Sequence, residues 1–155
     1  MALIKSISGI RGTIGGITNE NLTPLDIVKF SAAFGTLIKK KKGTTKIVIG
    51  RDARPSGEMV NALVTATLQA LGIDVIDLGL STTPTVEIAV PAEKAAGGII
   101  LTASHNPVQW NALKLLNEKG EFISGKDGEE VLRIAESENF EFAQVTKLGN
   151  YSKDD

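Results

Sequence analysis

Three consecutive positions near the middle of the chain carry a hydroxyl, an imidazole and an amide: Ser104, His105 and Asn106. The apolar run Gly98-Ile99-Ile100-Leu101-Thr102 leads into them through Ala103, and Pro107 fixes the exit of the turn. The residues alone leave two readings open. Ser, Asn and Pro are common turn formers, so the segment reads as a plain strand-to-loop turn. It also reads as a Ser–His pair of the hydrolase kind. Neighbours in sequence seldom point toward each other, and the Gly-x-Ser-x-Gly elbow is absent, with Ala103 and His105 flanking the serine. An acyl-transfer triad is therefore disfavoured.

Three cations stand out by their setting: Arg11, Arg54 and Lys114. The planar fork of Arg11 suits bidentate phosphate contact, although a solvated loop arginine has the same appearance. Lys114 sits between Leu113 and Leu115 in a short apolar run, where an unpaired charge is costly. An edge-strand gatekeeper lysine would also fit that position. The glycines Gly9, Gly12, Gly15 and Gly16 suggest a nucleotide loop, but no Gly-Lys-Ser/Thr follows them and no strand-to-helix glycine fingerprint surrounds them.

Composition narrows the chemistry further. The chain has 155 residues, no Cys and one His, which excludes disulfides, thiol catalysis, cysteine-held metals and any histidine cluster. Seventeen Lys and Arg face 18 Asp and Glu, giving a net charge of −1 and no nucleic-acid footprint. Hydrophobic residues at 42% and charged residues at 23% match a globular domain, not a disordered one. No apolar run approaches the roughly 18 residues of a membrane span. Residues 1–10 lack the apolar core of a secretory signal, so a cytoplasmic location without membrane contact is expected.

The side chains above need a scaffold, and the hydropathy pattern describes one. A first strand falls within residues 3–8. Thr23-Pro24-Leu25-Asp26 reads as N-cap, N1 proline and acidic N3, opening a helix to about Lys40 with Leu25, Val28, Ala32 and Ile38 on its apolar face. Lys39 to Lys42 would be its solvated end. A buried strand covers 46–50, and Ser56 caps a helix carrying Met59, Val60, Leu63, Val64 and Leu71, which stops at Gly72. A strand over 73–78 follows, then a helix from Thr83-Pro84 that Pro91 ends. Strands over 98–102 and 112–116, a turn at Lys119-Gly120 into Phe122-Ile123, and a helix capped by Asp127 with Glu130 complete the pattern. Residues after about 140 are weakly patterned. The grammar predicts an α/β fold, a three-layer α/β/α sandwich around a mixed, mainly parallel sheet. Ligand loops then lie beyond the strand carboxyl ends, at 51–57, 79–83 and 103–107.

Thr102-Ala103-Ser104-His105-Asn106-Pro107 resembles the phosphoserine loop of the α-D-phosphohexomutases, the superfamily of phosphoglucomutase, phosphomannomutase and phosphoglucosamine mutase. Three further segments resemble the same family in the same order. They are Ser8-Gly9-Ile10-Arg11-Gly12-Thr13, its arginine loop; Gly50-Arg51-Asp52-Ala53-Arg54-Pro55-Ser56-Gly57; and Trp110-Asn111-Ala112-Leu113-Lys114. Ala112 departs from the glycine common there. The resemblance implies an isomerase interconverting hexose 1-phosphate and 6-phosphate through a phosphoserine at Ser104 and a hexose bisphosphate, in carbohydrate metabolism. Arg11, His105 and Lys114 would neutralise phosphate and move protons, with Lys114 as general base toward the sugar hydroxyl. Arg54, Asn106 and Asn111 would contact phosphate or substrate. Mg²⁺ would meet the chain only through the phosphate on Ser104, and a hexose bisphosphate would serve as activator. The resemblance further implies that residues 1–140 are the family's first domain. Residues 141–155 would be a tail, or the start of a linker to further domains of the same polypeptide that select the sugar. Two other classes stay open on the residues: a stand-alone sugar-phosphate-binding module, and a small serine hydrolase.

Overall fold

The computed structural model describes residues 3–6, 9–41 and 45–154. Its strands are β1 (Leu3–Ser6), β2 (Gly9–Thr13), β3 (Lys46–Arg51), β4 (Asp74–Leu80), β5 (Gly97–Leu101), β6 (Trp110–Leu116) and β7 (Tyr151–Lys153). Its helices are α1 (Pro24–Lys40), α2 (Gly57–Ala70), α3 (Thr83–Ala92) and α4 (Gly125–Ser137), with a short 3₁₀ turn at Val145–Lys147. The strands form one sheet in the order β1-β2-β6-β5-β3-β4-β7. The sheet is mixed as expected. Parallel pairs (β5–β3, β3–β4, β4–β7) equal the antiparallel ones (β1–β2, β2–β6, β6–β5) in number instead of outnumbering them.

Local chemistry accounts for the helices. Thr23 and Asp26 form a reciprocal capping box at the start of α1, with Pro24 at its first position. Ser124, not Asp127, caps α4: its hydroxyl accepts from the Asp127 N–H at 3.1 Å, which places Asp127 in the third helical position. Thr82 caps α3 through the Thr85 N–H, and the helix stops one residue after Pro91. At the end of α2, Gly72 takes φ +86, the left-handed geometry of a C′ glycine.

The apolar face of α1 differs from the expected one. Leu25 is exposed and Val28 half-buried, whereas Ile27, Phe30 and Phe34 join the expected Ala32 and Ile38 in the core. The reason is position: α1 is the middle helix, packed against both α2 and α4, so three of its sides are covered. Its terminal lysines are not merely solvated, since Lys41 Nζ bonds Asp127 Oδ2 at 2.8 Å and ties α1 to α4. Lys42 and Ser8 lie outside the described residues.

α1, α2 and α4 cover one face of the sheet and α3 the other. Ile47 and Ile49 of β3, Ile99 and Leu101 of β5, Leu113 and Leu115 of β6, and Ile10 of β2 point into the three-helix side. Val48, Ile100 and Leu116 pack instead with Val86 and Val90 of α3. Strand alternation therefore turns Arg11 and Lys114 toward the α3 side. Yet α3 lies over β3 and β5, which leaves the β2–β6 part of that face open.

Candidate functional site

The site begins at the carboxyl ends of β3 and β5, which run parallel, and at the start of β6, which runs back beside β5. The Asp52 N–H donates to the Leu101 carbonyl at 3.1 Å, locking the 51–57 loop against the 102–107 loop. Ser104 tops the second loop with φ +52, a left-handed conformation that a residue with a Cβ seldom adopts. Its exposed side chain meets a cation from the neighbouring strand: Lys114 Nζ donates to Ser104 Oγ at 2.5 Å.

Arg11 arrives from a strand, not from the loop its sequence suggests. Residues 9–13 form β2, with Arg11 in register with Ala112 and Gly9 with Lys114. Gly9 makes that pairing close, since a Cβ there would collide with the Leu113 carbonyl oxygen. Arg11, Ser104, His105, Asn106, Ala112 and Lys114 together line an open depression of about 280 Å³. Four of the predicted catalytic residues thus gather in one place, with Asn106 beside them. The Ala112 methyl forms part of its floor, where the related pattern has glycine.

Arg54 and Asn111 do not line this depression. The Arg54 side chain is only 11% exposed and faces the loop itself. Its Nη2 donates to the Ser104 carbonyl at 2.7 Å, Nη1 to the carbonyls of Pro107 (2.7 Å) and Trp110 (3.1 Å), and Nε to Asp52 Oδ2 at 3.1 Å. Asn111 is fully buried. Its Nδ2 donates to the Ser56 hydroxyl at 2.9 Å, and Ser56, whose own backbone is helical and not extended, gives α2 no side-chain cap. Both residues hold the loops in place.

Two contributors escaped the sequence reading of the site. Asp52 Oδ2 accepts from the Thr102 hydroxyl at 2.6 Å, and Thr102 Oγ1 in turn accepts from the Ser104 N–H at 3.1 Å. The available signal was weak: a carboxylate and a hydroxyl at the carboxyl ends of two buried apolar runs.

The depression is cationic and rimmed by a hydroxyl, an arrangement suited to holding a phosphate ester. Among the described residues no group of three carboxylate or imidazole side chains could hold an ion. The one nearby carboxylate, Asp52, is occupied by Arg54 and Thr102. A larger pocket of about 540 Å³ lies elsewhere, lined by Arg51, Asp77 and Tyr151 among others, and includes neither Ser104 nor Lys114. No described helix is long and apolar enough to cross a membrane.

Comparison with known proteins bears on this arrangement. The family model for phosphoglucomutase/phosphomannomutase, alpha/beta/alpha domain I, matches residues 4–142. A phosphoglucomutase/phosphomannomutase of Thermococcus kodakarensis is 39% identical over 147 residues, 93% of this chain and 32% of the relative. A phosphoglucosamine/phosphogalactosamine mutase of Sulfurisphaera tokodaii is 39% identical over 138 residues, 89% of this chain and 27% of the relative. The crystal structure of a phosphoglucomutase/phosphomannomutase family protein from Burkholderia thailandensis matches with a TM-score of 0.81 at 25% identity, over 96% of this chain and 32% of that one. The chain spans about a third of the length of such relatives. With the fold, the motif order and these matches in agreement, the chain belongs to the phosphoglucomutase/phosphomannomutase family, as its α/β/α domain I.

Proposed function

We propose that Ser104 carries the phosphoryl group in an isomerisation between hexose 1-phosphate and hexose 6-phosphate, with this chain supplying the carrier loop. The observation that supports the reading most is the 2.5 Å contact between Lys114 Nζ and Ser104 Oγ at the edge of an open cationic depression. In the forward half-reaction a hexose hydroxyl oxygen attacks the phosphorus of phosphoserine, forming a new O–P bond. The bond from phosphorus to Ser104 Oγ breaks, and Oγ leaves as an alkoxide. As a neutral amine, Lys114 sits where it can take the sugar hydroxyl proton, and the ammonium so formed can pass that proton to the leaving Ser104 Oγ it contacts. The hexose bisphosphate then returns its other phosphoryl group to Ser104. Arg11 faces the same space and offers a bidentate contact to the phosphoryl oxygens. His105 and Asn106 at the rim order the phosphate.

The described side chains provide no carboxylate set for Mg²⁺. Such an ion would reach this chain through the phosphoryl oxygens on Ser104. Because sugar phosphates are charged and do not cross membranes unaided, the cytoplasm is the proposed compartment.

The test uses the full product of the reading frame, incubated with Mg²⁺ and a hexose 1,6-bisphosphate, followed by phosphopeptide mass spectrometry. Phosphate should map to Ser104, and Ser104→Ala should lose both the label and mutase turnover. Phosphate on another residue, with turnover intact in Ser104→Ala, overturns the reading. Saturable hexose phosphate binding with neither label nor turnover in the unaltered protein would favour a binding module.

A further inference from the structure

We infer that Asp52, Thr102 and Arg54 form a clamp that sets the left-handed backbone of Ser104 and so aims its Oγ at Lys114. They would be positioning residues for the transfer proposed above, and the inference rests on that reading. A non-glycine residue at φ +52 is strained and persists only where its surroundings over-determine it. Here both backbone polar groups of Ser104 are taken. Its N–H goes to Thr102 Oγ1 (3.1 Å) and its C=O accepts from Arg54 Nη2 (2.7 Å).

The two grips meet at a single atom. The Thr102 hydroxyl uses its proton on Asp52 Oδ2 (2.6 Å), so its lone pairs can only accept, which orients it toward the Ser104 N–H. The same Asp52 Oδ2 accepts from Arg54 Nε (3.1 Å), fixing the plane of the guanidinium. Arg54 Nη1 then holds the carbonyls of Pro107 and Trp110, the far end of the loop and the first residue of β6. Neither Asp52 nor Arg54 lines the depression around Ser104 Oγ. With its amide and carbonyl both committed, Ser104 leaves any phosphate it carries to be neutralised by side chains across the depression. Lysine at position 54 keeps the charge but cannot span three carbonyls and a carboxylate.

The test installs phosphoserine at position 104 of this chain by genetic encoding and follows its ³¹P resonance against pH. A free phosphoserine ionises a second time near pH 6. Beside Lys114 the midpoint should fall by about one unit. Arg54→Lys and Asp52→Asn should return it toward 6, as should Thr102→Val, while Thr102→Ser should keep the low value. The direction for Asp52→Asn is diagnostic: deleting a nearby negative charge alone would lower the midpoint, whereas releasing the clamp raises it. Midpoints equal to or below that of the unaltered chain in Asp52→Asn and Arg54→Lys, with circular dichroism unchanged, overturn the clamp. Should either of those two unfold, Thr102→Val against Thr102→Ser decides by the same criterion. A midpoint that stays low in Lys114→Ala instead overturns the carrier geometry itself, and so separates the two failures.

Discussion

The two halves of the sheet obey different rules. In the parallel half, β5 and β3 are covered on both faces, and their central residues are apolar at consecutive positions: Ile47, Val48 and Ile49; Ile99, Ile100 and Leu101. In the antiparallel half, β2 and β6 are packed on the three-helix face and, apart from Leu116 at the end of β6, lie open on the other. Ile10, Leu113 and Leu115 go inward, and alternate positions are released for Arg11 and Lys114. The candidate site sits where α3 stops. Leaving one face of two strands bare lets a lysine stand in an apolar run without being buried unpaired, because its head reaches a hydroxyl at the rim.

Three substitutions sharpen that contrast. Ile99→Ala in the doubly covered half should cost about 3 kcal/mol, as a fully buried side chain leaves a cavity. Urea unfolding with an unchanged denaturant slope would show it, and a cost below about 1 kcal/mol would mean that this half is loosely packed.

The next effect lies at the far edge. Tyr151, on the edge strand β7, donates its hydroxyl to buried Asp77 at 2.5 Å, and Tyr151→Phe should cost about 1 kcal/mol. This contact also predicts a pH dependence. Hydrogen bonding to Asp77 pushes the Tyr151 phenol up to about 12. A pKa raised on folding favours the protonated form, so the contribution is complete below about pH 10 and lost as pH climbs through 12. Burial pushes the Asp77 carboxyl up, but hydrogen bonds from Tyr151, Asn61 and the Gly79 N–H, with the Arg51 charge, outweigh it and leave it lowered. Its contribution is therefore present above about pH 4 and lost as pH falls through the lowered value. The chain has a single tyrosine, so phenolate absorbance reads the alkaline limb directly. Titration near pH 10 would show β7 undocked.

The smallest stability effect belongs to the open face. Lys114→Met should change stability by no more than about 0.5 kcal/mol, because the lysine head is not buried, while phosphate uptake at Ser104 falls sharply. A cost matching that of Ile99→Ala would erase the distinction between the halves.

How much was legible in sequence follows from range. The capping box at Thr23 and Asp26, the C′ glycine at 72 and the buried runs of β3 and β5 are local patterns, and they were readable as such. β2 was not, since Gly9, Gly12 and the glycines beyond mimic a loop, and only pairing between β1 and β6 makes that segment a strand. β7 has three exposed residues and no internal signal; its place comes from the parallel register against β4 and the Tyr151–Asp77 contact.

The same division runs through the site. By itself the sequence singled out Ser104 as the proposed carrier and the types of cation near it, because a contiguous motif needs no tertiary context to be read. Only the tertiary structure decided which cations reach it. Arg11 and Lys114 do so through strand register across β2 and β6, whereas Arg54 turns inward to hold carbonyls. A guanidinium and an ammonium look alike as charges on a list. What distinguishes a phosphate contact from a loop clamp is which backbone oxygens lie within three ångströms of its donors, and chain packing alone sets that.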